Sequence, residues 1–137
     1  MNRVAHENTG IICGAAASLG LAYQDDRADL LLEILGGLLG GWLGGRLPDL
    51  LEPATHPDHR AIFHSLTVGG GGNAAAISKV PQWQADLRAR ARECTAAGDH
   101  WGALLMNLLV GVVAGLPAGY VSHLVLDSTT PKSLPIL

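Results

Sequence analysis

Four apolar segments separated by polar stretches are the main pattern along the chain. They cover residues 10–23, 30–47, 61–78 and 101–126. The stretch 79–100 is polar, carries three arginines and is typical of an exposed amphipathic helix. A membrane span needs about 20 mostly apolar residues, so residues 103–121 are long enough and residues 30–47 nearly so. The pattern predicts an all-α fold, a small membrane-embedded bundle of about four apolar helices plus one polar amphipathic helix.

Composition strengthens the membrane interpretation. Charged residues make up 15% of the chain, whereas a soluble domain has about a quarter. The alternative is a soluble protein with unusually apolar core helices. The length of 137 residues predicts one helical domain over residues 1–137. The net charge of −3 and the lack of a long basic run argue against a nucleic-acid partner.

Glycines recur at every fourth position in two of the apolar segments. They form the columns Gly36/Gly40/Gly44, Gly37/Gly41/Gly45 and Gly111/Gly115/Gly119. Residues four apart share one face of a helix, so each column predicts a groove without side chains. Such grooves let helix backbones approach closely, as GxxxG motifs do in membranes. The neighbouring helix belongs either to the same chain or, in a homo-oligomer, to another subunit.

Histidines and aspartates are expected to gather at one end of this bundle. If the chain reverses direction at each apolar segment, six potential metal ligands reach the same side. They are His6, Asp49, His59, His64, His123 and Asp127. His123 and Asp127 are four residues apart, so one helix face can present both to one ion. Simpler interpretations are a surface hydrogen bond for this pair and a helix cap or turn for Asp49.

The residue types indicate a divalent metal ion, most of all zinc. Zinc binds imidazole nitrogen and carboxylate oxygen at about 2.0 to 2.2 Å. Manganese and iron are the other candidates. Six candidate ligands exceed the needs of one tetrahedral ion, which leaves one ion with supporting residues or two ions as alternatives. Arg60 carries a planar cation suited to an anionic substrate group, or it pairs with a nearby aspartate.

Three motifs resemble those of the YdjM-like family of bacterial inner-membrane proteins. They are LPD at 47–49, HRAIFHSL at 59–66, and GYVSHLVLD at 119–127 followed by Thr130 and Pro131. The resemblance covers nearly the whole chain and implies a membrane-bound, metal-dependent hydrolase in the bacterial inner membrane. The family continues LPD with a second aspartate and a histidine, whereas this chain has Leu51 and Glu52 at those positions.

We therefore expect a hydrolase that cleaves an ester or phosphoester with a metal-activated water. The substrate is expected to be a small molecule or a membrane lipid. Glu52 or Asp58 is expected to accept the proton of the water, and Arg60 to hold an anionic group of the substrate. The alternative is a non-catalytic membrane protein whose metal site stabilises the bundle. Metal transport ranks below both, because a transporter needs ligands distributed through the depth of the membrane.

Overall fold

The computed structural model describes residues 3–25, 29–52, 65 and 70–129 of the chain. The described residues form the helices α1 (Arg3–Ala22), α2 (Leu30–Leu51), α3 (Gly71–Ala96) and α4 (His100–Ser128). The predicted all-α bundle is confirmed. Contacts between the helices show that α1 and α3 run from one end of the bundle to the other, and that α2 and α4 run back.

Short polar residues and one glycine set the helix ends. The carboxylates of Asp29 and Asp99 cap α2 and α4 by accepting hydrogen bonds from backbone N–H groups in the first turn. After α3, Gly98 adopts a φ of 75°, a left-handed conformation that glycine reaches without steric cost. Helix α2 continues through Pro48 to Leu51. The LPD motif therefore lies in the last turns of a helix.

The glycine columns place α2 between α1 and α4. A Cβ atom built on Gly14 would lie 2.6 Å from the Cα atom of Gly41, and one on Gly115 would lie 2.9 Å from the Cα atom of Gly37. A methyl group at either position would overlap the neighbouring backbone, because protein interiors leave no spare volume of this size. The close packing predicted from the columns is therefore confirmed, and it occurs within one chain.

Polar side chains fix α3 against the other helices. Asn73 and Gln84 donate hydrogen bonds to the Pro117 and Val110 carbonyls of α4. Arg88 forms two hydrogen bonds with the buried carboxylate of Glu33, at 2.8 and 2.7 Å, and a third with Asp25 at 3.0 Å. The polar stretch expected as a separate helix is thus the second half of α3.

The prediction that this polar stretch is exposed holds for part of it. Arg90 and Arg92 are exposed, whereas Arg88 is 7% exposed. Arg88 is buried because Glu33 needs a partner inside the bundle, and an unpaired buried carboxylate carries a large desolvation penalty.

Two of the described helices, α2 and α4, are long and apolar enough to cross a membrane. The buried face of α2 consists of Glu33, Pro48 and six glycines. Its large apolar side chains lie on the outside, where four leucines form an exposed column: Leu31, Leu35, Leu39 and Leu43. This arrangement is the reverse of a helix in a water-soluble protein, whose leucines face the core.

Candidate metal centre

The small-residue columns continue directly into the candidate ligands. In steps of four residues, α1 carries His6, Gly10 and Gly14, α2 carries Gly41, Gly45 and Asp49, and α4 carries Gly115, Gly119, His123 and Asp127. Residues four apart share a helix face, so the side chains at the ends of the columns lie where the helices approach one another most closely. Helix packing therefore brings these imidazoles and carboxylates to one end of the bundle.

His6, His123 and Asp127 form a compact, buried cluster. Nε2 of His6 lies 3.4 Å from Oδ1 of Asp127, and Nε2 of His123 lies 3.5 Å from Oδ2 of the same carboxylate. The potential ligand atoms of the three residues all lie within 4.8 Å of one another. The side chains are 4%, 0% and 1% exposed. Three groups that can bind a metal are thus enclosed together.

Two of the spacings in this cluster match those between the ligands of a tetrahedral metal ion. Ligands at about 2.0 to 2.2 Å from zinc are separated from one another by about 3.3 to 3.6 Å in a tetrahedron. The two nitrogen–oxygen distances of 3.4 and 3.5 Å lie in that range. They are longer than the roughly 2.7 to 3.2 Å of an N–H···O hydrogen bond. The donor set of two imidazoles and one carboxylate is also the set that zinc hydrolases use.

A backbone carbonyl fixes the orientation of His123. Nδ1 of His123 lies 2.7 Å from the carbonyl oxygen of Gly45. A carbonyl can only accept, so Nδ1 carries a proton and donates it, and Nε2 is the nitrogen left for a metal ion. Nε2 faces Asp127 and Asp49. An imidazole held by a backbone carbonyl in this way is typical of a metal ligand.

His6 lies against His123 as a stacked ring. The ring centroids are 4.0 Å apart and the planes differ by 24°. Burial, followed by the charge of His123, lowers the pKa of His6 below its ordinary value. A neutral ring is the form that binds a metal ion. Among the described residues, Nδ1 of His6 is buried without a hydrogen-bond partner. The stacking therefore holds a second imidazole beside Asp127.

Asp49 lies at the border between the cluster and solvent. Its Oδ1 is 3.7 Å from Nε2 of His123, and its side chain is 46% exposed. Glu52 follows at the C-terminal end of α2, where its N–H donates to the Pro48 carbonyl. Both residues therefore lie at the end of the bundle that holds the cluster. Metal binding by Asp49 and proton transfer by Glu52 stay predictions.

Four other expected site residues lie outside the described residues: Asp58, His59, Arg60 and His64. Their roles stay predictions. The described part of the chain brings together four of the six expected ligands: His6, Asp49, His123 and Asp127.

Two contacts of the cluster were not predicted from the sequence. One is the hydrogen bond between His123 and the Gly45 carbonyl, and the other is the stacking of His6 on His123. The sequence does contain a signal for them, since Gly45 and His123 belong to the fourfold columns that pack against each other. The columns were interpreted as packing surfaces alone, and their continuation into the ligands was missed.

No family model, no curated protein and no solved structure matches this chain. The resemblance to the YdjM-like family therefore stays a prediction that depends on the three sequence motifs.

Proposed function

We propose that this protein is a metal-dependent hydrolase of the bacterial inner membrane, acting on an ester or phosphoester. One observation carries the proposal: two imidazoles and a carboxylate are buried together, and two nitrogen–oxygen distances match the ligand separations around a tetrahedral zinc ion. The three ligands that the described residues supply leave a fourth position for water or substrate, as in catalytic zinc sites.

The residues have separate roles in this proposal. His6, His123 and Asp127 hold the ion, and the Gly45 carbonyl keeps the ring of His123 in the ligating orientation. A divalent ion bound there supplies Lewis acidity and lowers the pKa of water to about 7. Asp49, which borders both the cluster and solvent, accepts the proton that the attacking water loses. Glu52 and Asp58 are the alternative acceptors that the sequence predicts.

The distribution of apolar side chains supports a membrane location. Leucines line the outer face of α2, while glycines and one paired carboxylate fill its inner face. In lipid, helices associate through small residues and close backbone contacts, and large apolar side chains can face outward without cost. The inner membrane and the lipid substrate are implied by the motif resemblance.

Metal content and activity test this proposal together. Protein purified in detergent, stripped with a chelator and titrated with zinc should bind about one ion per chain with three protein ligands. His123→Ala and Asp127→Asn should lose the ion together with hydrolysis of p-nitrophenyl esters or phosphoesters. His100→Ala is the matched control, because His100 is exposed at the start of α4. Full metal binding by the His123 variant would overturn the proposal.

The deep burial of the three ligands favours one alternative, a structural metal site. Structural zinc sites are closed, and His123 and Asp127 are almost completely inaccessible. In that case metal removal would lower the melting temperature, while the loaded protein would hydrolyse none of the model substrates. The exposed carboxylate of Asp49 favours catalysis, because it provides a path from solvent to the cluster.

A further inference from the structure

A small pocket opens directly beside the candidate metal centre. It has a volume of about 160 Å³ and is lined by Arg3, Glu7, Gly45, Arg46, Asp49 and Leu50. Two of these residues also touch the cluster: the Gly45 carbonyl accepts from His123, and Asp49 lies 3.7 Å from the same ring. A group bound in the pocket would therefore be next to the metal ligands.

Two guanidinium groups are held in place at this pocket by one carboxylate. Nε of Arg3 donates to Oε1 of Glu7 at 2.7 Å, and Nε of Arg46 lies 3.5 Å from the same oxygen. The guanidinium of Arg46 also lies over the ring of Trp42, 4.6 Å from its centroid. The closest approach of both arginines to Glu7 is through Nε, and each Nη edge still carries four N–H donors.

We propose that the pocket lined by Arg3, Arg46 and Asp49 binds the phosphate group of a phosphoester substrate beside the His6–His123–Asp127 cluster. The proposal rests on the metal-dependent hydrolysis proposed above and specifies its substrate class. The charged groups of the pocket lining are balanced, because the guanidiniums of Arg3 and Arg46 face the carboxylates of Glu7 and Asp49. Arginine is suited to phosphate because its N–H groups match two phosphate oxygens at once.

The two guanidinium groups of the pocket favour phosphoesters over carboxylic esters. The pocket, with a volume of about 160 Å³, has room for a phosphate group. A carboxylic ester is uncharged and gains little from two cations. A phosphoester remains anionic at neutral pH, so the arginines both attract it and orient it toward the cluster.

The reaction is a balanced hydrolysis. The oxygen of water forms a bond to phosphorus, and the bond between phosphorus and the ester oxygen breaks. Asp49 takes one proton of the water and passes it to the leaving oxygen, which restores the carboxylate and gives an alcohol and a phosphate as products. The arginines take no part in bond making. They position the phosphate and offset its charge as it changes during the reaction.

Phosphate binding tests the pocket without requiring turnover. Inorganic phosphate is titrated into zinc-loaded and zinc-free protein, and binding is measured by isothermal titration calorimetry. Arg46→Gln should weaken binding roughly tenfold or more, because it removes charge-assisted hydrogen bonds. Arg3→Gln should have a smaller effect, since the Arg3 side chain is 65% exposed. Arg90→Gln, an exposed arginine on α3, is the matched control and should bind phosphate as the wild type does.

Hydrolysis assays separate this proposal from the one on which it rests. Arg46→Gln should raise KM for phosphoesters more than KM for p-nitrophenyl acetate, whereas the exposed control Arg90→Gln should leave both unchanged. Trp42→Leu, which removes the ring beneath Arg46 and keeps the charge, should produce a milder form of the same change. Vesicles containing phosphatidic acid, compared with a soluble phosphomonoester, show whether the phosphate belongs to a lipid or to a free molecule.

Each outcome bears on a different claim. Protein that binds no zinc but binds phosphate through Arg46 would end the hydrolase proposal and support the pocket. Zinc-loaded protein that cleaves esters, with equal phosphate affinity in the wild type and Arg46→Gln, would overturn the pocket alone. Circular dichroism shows whether Arg46→Gln folds. If it does not fold, the phosphate affinities of Arg3→Gln and Trp42→Leu test the pocket instead. Wild-type affinity in both of these variants would contradict the proposal.

Discussion

Asp49 separates the catalytic interpretation from the structural one. Its carboxylate is 3.7 Å from the ligating edge of His123 and nearly half exposed. We expect Asp49→Asn to retain the zinc ion with less than a tenfold loss of affinity and to lose most of the hydrolytic rate, since general-base catalysis typically contributes about 10²- to 10⁴-fold. Zinc affinity from competition with a chelator, and kcat from initial rates, provide the comparison.

The matched control for this variant is Asp86→Asn, which changes an exposed aspartate on α3. It should change neither the zinc affinity nor kcat. If Asp49→Asn instead lowers zinc affinity by several orders of magnitude, Asp49 is a fourth ligand. The site is then closed, and the structural role is favoured.

The pKa of His6 predicts how the metal-free protein responds to acid. Burial, and then the charge of His123, hold this pKa below the usual value of about 6.5. The folded protein takes up this proton less readily than the unfolded chain, so the fold loses stability as the pH falls below about 6.5 and through the lowered pKa. We expect the Tm of zinc-free protein to decrease from about pH 7 to pH 5, and His6→Gln to reduce that decrease.

His100→Gln serves as the control for the acid response, because it removes an exposed histidine. It should leave the pH dependence of Tm unchanged. If the curves of Tm against pH are parallel for the wild type and His6→Gln, protonation of His6 is not the cause of the loss of stability in acid.

For individual residues, the sequence predicts which residues form the site better than it predicts their contacts. Reversal of chain direction was enough to expect His6, Asp49, His123 and Asp127 at one end, and the structure places them there. The hydrogen bond to Gly45 and the ring stacking depend on distances of a few tenths of an ångström between helices. Such distances follow from packing, which the sequence pattern does not specify.

The packing of α1, α2 and α4 depends on backbone contact at the glycine columns. A Cβ atom on Gly41 would lie 2.9 Å from the Cα atom of Gly14 and would also meet the Gly10 carbonyl. Gly41→Ala should therefore destabilise the bundle by roughly 1 to 3 kcal/mol. It should also weaken zinc binding, because the column ends at Asp49 and at the Gly45 carbonyl. Unfolding in detergent and zinc titration measure the two effects.

Gly20→Ala is the matched control for the glycine columns. Gly20 lies in the same kind of helix interior, but no atom would meet a Cβ there within 4 Å. Alanine should stabilise α1 by up to about 1 kcal/mol, since it is the better helix former. Equal destabilisation by the two substitutions would mean that close backbone contact is not what holds the bundle together.

The ion pair between Glu33 and Arg88 attaches α3 to the bundle. Glu33 is 0% exposed, so Arg88→Gln would leave a buried carboxylate without its guanidinium partner. We expect a loss of about 3 to 5 kcal/mol, measured by chemical unfolding. Glu33→Gln combined with Arg88→Gln should recover part of that loss, because the buried charge is gone. Arg92→Gln, on the exposed side of α3, should change stability little.

The pairing of Glu33 with Arg88 does not follow from the sequence pattern. Glu33 stands out within an apolar segment, where an ionisable side chain needs a partner. The identity of the partner follows from how α3 docks, with Asn73 and Gln84 on carbonyls of α4. A helix that docks through polar contacts has no apolar stripe in its sequence that marks the buried face. The arginines of this stretch, including Arg88, were therefore expected to be exposed.

For the molecule as a whole, the bundle buries small and polar residues and exposes leucines. This arrangement places the site residues at one end of the glycine columns and the Glu33–Arg88 pair at the other. The fold class could be predicted from segment length and glycine spacing alone, because both follow from helix geometry. The depth to which the ligands are buried could not, because it depends on how closely three backbones approach.

X-ray absorption spectroscopy of the zinc-loaded protein identifies the atoms that bind the metal ion. We expect two imidazole nitrogens and one carboxylate oxygen at about 2.0 to 2.2 Å, with one light-atom donor from water completing the shell. His123→Ala should lose one imidazole or the ion itself, whereas His100→Ala should give the wild-type spectrum. A zinc shell without imidazole, or a spectrum of the wild type that His123→Ala leaves unchanged, would contradict the proposed metal site.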